Sequence, residues 1–168
     1  MDPGDELVDI VDEDDRFVRV VTRREMRAGR LLHRGTAILV RRDDGDVFVH
    51  RRTDTKDVHP GMHDMFFGGV VCAGETYEDN ARRELAEEAG IHGVEPRFLC
   101  RYLYRGPTVA LWTAAYEVRW EGGLQLQPEE VAWGAFVPPA KLDRMLEDLG
   151  FGPDSRDLYA QLRAEGLI

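Results

Sequence analysis

The chain has 168 residues, is 43% hydrophobic and carries a formal net charge of -10. Its length supports a single domain, residues 1–168, that can bury a core without help from disulfides. Its acidic balance argues against a generic nucleic-acid or anionic-membrane surface, because a negative field repels phosphate. The N-terminus is acidic rather than basic and apolar, and no stretch approaches the roughly 20 apolar residues of a membrane span. Cys72 and Cys100 lie in apolar runs and read as two reduced, buried thiols, which suits the cytoplasm.

In chain order, residues 1–30 read as an ordered arm: "LVDIV" and "FVRVV" as short strands, then "TRREMRAG" as one or two helical turns closed by Gly29. "GTAILVRR" and "DVFVHRR" flank "DDGD", a hairpin signature. The loop "TDTKDVHPGMHD" precedes the apolar run "MFFGGVV". "RFLCRYLYR", "TVALWTAAYEVRW" and "VAWGAFVP" are further strands, the first two joined by "GP". "PAKLDRMLEDLG" and "SRDLYAQLRAEG" end the chain as helices, the second with Leu158 and Leu162 at i and i+4. The coarse reading is a mostly β domain with one central helix and helical C-terminal elements.

That central helix is the most informative segment. Thr76 with Asp79 three residues on has the form of a capping box, and Gly90 suits a left-handed stop, so a helix runs from about residue 77 to about 89. At about 100° per residue, Glu84, Glu87 and Glu88 share one arc that borders the apolar stripe of Ala81, Leu85 and Ala89. Like charges at i,i+3 and i,i+4 repel, and anions in a last turn also oppose the helix dipole. Arg83 can pair with Glu87, whereas Arg82 points toward the other side. A solvated acidic face is the ordinary account of such a run. A divalent cation resolves the conflict more fully, and all-oxygen ligands select Mg²⁺ or Mn²⁺ over zinc.

Gly69, five residues, Glu75, seven residues, then Arg83-Glu84-Leu85-Ala86-Glu87-Glu88-Ala89-Gly90-Ile91 resembles the Nudix box at every specified position of residues 69–91. The resemblance implies the family's α/β fold, a mixed β-sheet sandwiched between helices. It also implies Mg²⁺- or Mn²⁺-dependent hydrolysis of a diphosphate (pyrophosphate) bond in a nucleoside diphosphate derivative or similar small molecule. Carried over by position, Glu84, Glu87, Glu88 and Gly69 would surround the metal, and Arg83 would orient Glu75 or Glu87 by salt bridges. The family often supplies a further acid from a later loop, which makes Glu129 or Glu130 in "LQPEEVAW" a candidate base; capping of a turn after Pro128 is an equal reading. A homodimer follows from family habit alone.

Outside the box, Arg51 and Arg52 are candidates to meet substrate phosphate, but strand alternation lets only one share the side of Val47 and Val49. Lys56 is a weaker candidate, with surface solvation favoured. His59 and His63 are four apart, yet Pro60 and Gly61 between them argue against a helical zinc site. Phe66, Phe67, Trp112 and Trp133 could stack on a base or serve the core.

"VDIVDEDD", "LLHRGTAILV", "HRR", "KDVHPGMHD" and "GGVVCAGET" further resemble the isopentenyl-diphosphate-isomerase-like branch of the family. The isomerase resemblance would require a catalytic cysteine and a metal-binding histidine before the box. Phe67-Gly68-Gly69-Val70 contains neither, Cys72 lies too far on, and His33 suits core or hydrogen-bonding duty. Hydrolysis is therefore the reading, with isomerisation and noncatalytic nucleotide sensing as the rivals.

Overall fold

Short alternating segments dominate the first third of the chain and fold as strands. In the computed structural model, which describes residues 2–168, β1 (Leu7–Val11) and β2 (Phe17–Thr22) pair antiparallel and lead into α1 (Arg23–Gly29). Thr22 caps α1 by accepting from the Glu25 amide, and the left-handed residue at its end is Arg30, one place beyond the expected Gly29. There follow β3 (His33–Arg41), β4 (Val47–Arg52), β5 (His63–Asp64), β6 (Phe66–Phe67), α2 (Tyr77–Ala89), β7 (Arg97–Arg105), β8 (Ala110–Arg119), β9 (Val131–Val137), α3 (Pro139–Asp148) and α4 (Pro153–Ala164). Among the described residues, no helix is long and apolar enough to cross a membrane.

The expected β3–β4 hairpin forms at its turn, where Arg42 N donates to Asp46 O at 2.9 Å and Gly45 N to Arg42 O at 3.0 Å. It then opens: β3 and β4 register through Arg41 and Val47 before parting. β3 runs parallel to β8 from His33–Leu111 to Arg41–Arg119, while β4 pairs antiparallel with β9. Local turn chemistry brought the two strands together, and longer pairings elsewhere separated them. β7 and β8 remain a true antiparallel hairpin.

Side-chain alternation along β3 builds two cores. Ala37 and Leu39 face α3 and α4, where Leu142, Leu158, Tyr159 and Leu162 pack. Ile38 and Val40 face α2 and meet Ala81, Leu85 and Ala89. Burying a leucine is worth about 2 kcal/mol, so Leu85 is a principal anchor of α2. The result is a mixed sheet with helices on both faces, the α/β architecture expected. Cys72 and Cys100 are free thiols, but half-buried rather than buried.

The arm is integrated into this body. Ala73 N donates to Leu7 O at 2.8 Å and Gly74 N to Asp9 Oδ2 at 3.2 Å, so β1 clamps the loop before α2. At the tip of the hairpin, Asp15 accepts from Arg34, Tyr77 and Arg101. On β8, Glu117 is 3% exposed and receives Arg41, Arg97 and Arg119.

Candidate functional site

α2 starts and stops where its local chemistry demands. Thr76 Oγ1 accepts from the Asp79 amide at 3.1 Å, and Gly90 takes φ 67°, a left-handed conformation that glycine adopts without a Cβ penalty. With Ala81, Leu85 and Ala89 directed into the core, the neighbouring ridge of Asn80, Glu84 and Glu88 is drawn inward as well. Glu84 is 9% exposed and Glu88 6%.

These two carboxylates converge on Gly68–Gly69. Gly68 N donates to Glu88 Oε2 at 3.2 Å, and a methyl group on Gly69 would lie 2.8 Å from Glu84 Oε1. Gly68 has φ 137°, and a side chain there would strike Thr36 O, so neither glycine tolerates a Cβ. The Gly69 carbonyl accepts from Thr36 N at 3.0 Å and keeps its second lone pair.

Arg83 organises the outer edge. Its Nε and Nη2 grip Glu75 at 2.9 and 3.2 Å, while Nη1 lies 2.9 Å from Glu84 Oε1 and 3.1 Å from Glu87 Oε2. Arg83 thus holds all three acids, where the sequence suggested either Glu75 or Glu87. The Glu87 side chain is 53% exposed and stands apart from the inward pair.

Burial sets the electrostatics. It pushes the Glu88 carboxyl up to about 7, reinforced by Glu84 and opposed by Lys56 and the Gly68 amide. Burial also raises Glu84, with Arg83 opposing and Glu87 adding to the shift. At Glu75 burial acts upward too, but hydrogen bonds from Arg83 and Asn80 outweigh it and hold the carboxyl below its usual range. Two buried carboxyls that resist ionisation, beside a glycine carbonyl, form an all-oxygen donor set suited to a hard divalent cation. Glu87, touched by Arg83 through one carboxylate oxygen, stands at the outer edge of that set. Among the described residues no three acidic, histidine or cysteine side chains are already gathered as a cage.

Beside Gly68 and Gly69 lies a cavity of about 130 Å³. Arg23, Arg27, Arg52 and Lys56 line one part of it, and Val109, Leu111 and Leu158 another. The two arginines of strand β4 separate. Arg52 borders the cavity, donates to Val58 O at 3.2 Å, and forms no ion pair among the described residues. Arg51 pairs instead with Asp54 at 2.7 Å, away from the cavity lining. A register shift in the β4–β9 pairing falls between them.

Lys56 is not a solvated surface lysine: its side chain is 16% exposed and ion-paired with Glu130. Burial, then the charge of Arg52, depresses its pKa. Glu130, offered as a base, is the partner in that ion pair. The aromatic candidates divide: Phe66 and Phe67 are buried at the cavity wall, Trp112 donates to Asp12 O, and Trp133 is exposed. His59 lies 3.1 Å from Asp154, while His63 belongs to β5. His33 is buried, with its Nδ1 2.9 Å from Leu31 O, and burial lowers its pKa to about 4.

Residues absent from the sequence reading include Asn80, Thr36, Asp57 and the α1 arginines. Asn80 had a legible signal, since it precedes Glu84 and Glu88 by one and two helical repeats of four. Arg23 and Arg27 had none; both reach Asp57, at 3.9 and 3.0 Å, only because α1 packs beside the 53–62 loop.

A family model described as NUDIX domain matches residues 31–162, leaving the arm outside it. An uncharacterized Nudix hydrolase of Streptomyces coelicolor, SCO1686, is 48% identical over 166 residues, covering 98% of this chain and 92% of its own. The crystal structure of DR0079 from Deinococcus radiodurans is similar with a TM-score of 0.80 and 25% identity, over 93% of this chain and 98% of that one. The NUDIX domain of Shewanella oneidensis NrtR, solved as a cocrystal with ADP ribose, shares the fold with a TM-score of 0.60 at 19% identity, over 80% of this chain and 86% of that one.

Proposed function

The chain belongs to the Nudix family, hydrolases acting on pyrophosphate bonds, and from that premise we propose that it cleaves the diphosphate bond of a nucleoside diphosphate derivative or similar small molecule with Mg²⁺ or Mn²⁺. The observation that carries this reading is the convergence of buried Glu84 and Glu88 on Gly68–Gly69, at the edge of a cavity whose wall holds the guanidinium of Arg52, which forms no ion pair among the described residues. The ADP ribose bound by the NrtR domain supports the nucleotide class.

In this proposal Glu84 and Glu88, with the Gly69 carbonyl and with Glu87 at the outer edge, hold the cation. When bound, it supplies charge neutralisation at the diphosphate oxygens and a more acidic water. Arg83 holds Glu75 and Glu87 in place, and its hydrogen bonds help keep the Glu75 carboxyl below its usual range. Arg52 offers its planar donors to a phosphate oxygen, and Lys56 adds a positive charge to the same wall. Glu130 holds Lys56 toward the cavity, and Arg51 is left out of the site.

The proposal places the chain in the isopentenyl-diphosphate-isomerase-like branch without isomerase chemistry, because Phe67-Gly68-Gly69-Val70 has no cysteine or histidine. The two free thiols support a cytoplasmic setting. Nucleic acid and membrane are not proposed as partners, and a homodimer is the assembly to test.

The deciding experiment incubates the purified protein with Mg²⁺ and a panel of nucleoside diphosphate derivatives, then assays phosphate and nucleotide products. Turnover that is lost in Glu84→Gln and Glu88→Gln is expected. No turnover by the wild type, or unaltered turnover in both variants, sinks the proposal. Conversion of isopentenyl diphosphate to its allylic isomer would favour the isomerase, and tight nucleotide binding without turnover the sensor.

A further inference from the structure

Asn80 is an amide in an apolar setting. It is 0% exposed on a helix face shared with Ala81 and Leu85, and a buried amide is costly unless its hydrogen bonds are made. Its bonds go to three separate segments. Oδ1 accepts from Thr36 Oγ1 at 2.6 Å, and Nδ2 donates to Val70 O and to Glu75 Oε2, both at 3.0 Å. The partners dictate this orientation, since neither a carbonyl nor an ionised carboxylate can donate.

Thr36 is equally tied to the site. Its amide holds Gly69 O, its carbonyl occupies the space a Gly68 side chain would need, and it lines the cavity. Glu75 receives four donors in all: Cys72 N at 3.0 Å, Asn80 Nδ2, and the Nε and Nη2 of Arg83. A carboxylate held this way has its plane fixed, and the guanidinium that grips it is aimed with it. The free end of that guanidinium is what reaches Glu84 and Glu87.

We propose that Thr36 and Asn80 form a buried positioning pair, which fixes the Glu75–Arg83 fork and through it the carboxylates of the active centre. The inference rests on the function proposed above and assigns roles to two residues outside the box's specified positions. Neither touches the reacting atoms. Each acts by holding a group that does: a hydroxyl on the sheet orients an amide on the helix, the amide orients Glu75, and Glu75 orients Arg83.

The test compares Asn80→Ala, Thr36→Val and Thr36→Ser with the wild type, each checked for folding by circular dichroism. Three readouts are taken: steady-state kinetics, Mn²⁺ affinity by electron paramagnetic resonance, and hydrogen exchange of the Arg83 Nε–H by NMR without metal. Asn80→Ala and Thr36→Val should lower kcat by about 10-fold or more with KM changed by less than about threefold, and weaken Mn²⁺ binding by about 10-fold. Both should also speed exchange at Arg83. Thr36→Ser, which keeps the hydroxyl, should restore most of each loss. Folded variants with wild-type kcat, Mn²⁺ affinity and Arg83 protection would overturn the pair, as would equal losses in Thr36→Ser and Thr36→Val. The exchange readout needs neither turnover nor metal, so failure of the hydrolase reading is seen separately from failure of the positioning pair. If Asn80→Ala does not fold, the two Thr36 variants decide the matter.

Discussion

Arg83 and Glu75 are joined by two parallel contacts, Nε to Oε1 at 2.9 Å and Nη2 to Oε2 at 3.2 Å, which leave Nη1 for Glu84 and Glu87. A lysine carries a single point charge and cannot reproduce that fork. Arg83→Lys should therefore lose nearly as much as Arg83→Ala, about 10- to 100-fold in kcat, from a charged hydrogen-bond network worth about 1.5–3 kcal/mol per contact. Steady-state kinetics of the two variants with Mg²⁺ would check this, and near-wild-type activity in Arg83→Lys would refute it.

Glu88 should trade stability for function. Its carboxyl moves from 4.5 in the unfolded chain to about 7 in the fold, chiefly through burial and then through Glu84. Because the folded state holds the proton more tightly, the protonated form's stability is fully present below about pH 4.5 and is lost as pH rises through about 7. Glu88→Gln removes that loss while keeping an acceptor for the Gly68 amide. It should raise stability at pH 8 by on the order of 2 kcal/mol, about 5 °C in Tm, and by little at pH 4.5. Thermal melts without divalent ions at the two pH values test this, and an equal effect at both would count against it.

Glu117 should behave in the opposite sense. Burial pushes its carboxyl up, but hydrogen bonding from Arg97 and the charges of Arg119 and Arg41 more than offset this and hold it below its usual range. A depressed carboxyl stabilises the fold above its unfolded pKa and loses that contribution as pH falls through the folded value. Glu117→Ala should cost about 1–2 kcal/mol at pH 7, chiefly because it leaves the half-buried Arg41 without its partner, while water can replace it at the exposed Arg97 and Arg119. The deficit should shrink on acidification, as read by urea denaturation at pH 7 and pH 3.5.

Asp15 ties the hairpin tip to the body through Arg34 at 2.7 Å, and through Tyr77 and Arg101 at 3.1 Å each. Arg34 and Arg101 also lie over the Tyr77 ring. Asp15→Ala should leave the main body folded and loosen the arm, giving faster proteolytic cleavage before residue 31. Unaltered cleavage kinetics would show that the tip is held by other contacts.

Arg51 and Arg52 are adjacent in sequence but differ in setting, one paired with Asp54 and the other at the cavity. Arg52→Ala should raise KM by about 10-fold or more through loss of a charged hydrogen bond, whereas Arg51→Ala should change it less than about twofold. The reverse order would exchange their assignments.

Much of this protein was legible in the chain because the decisive signals are short-ranged. Thr76, Gly90 and the spacing of Ala81, Leu85 and Ala89 delimit α2 within a few residues of one another, and the helix spans Tyr77–Ala89 as expected. The "DDGD" turn was legible for the same reason. The divergence of its strands was not, since β8 and β9, which separate β3 from β4, come much later in the chain.

The box helix, its ends, the crowding of Glu84, Glu87 and Glu88, and the presence of Arg83 on their flank can all be read from the chain. These follow from hydrogen bonds and side-chain spacing within a turn or two of helix. Long-range packing is what buries Glu84 and Glu88 while Glu87 stays at the surface, sets Arg52 rather than Arg51 at the cavity, and brings Lys56 to Glu130. Those outcomes depend on desolvation and on ion pairing between distant segments, and both arise only when α2, the sheet, the 53–62 loop and the arm pack together.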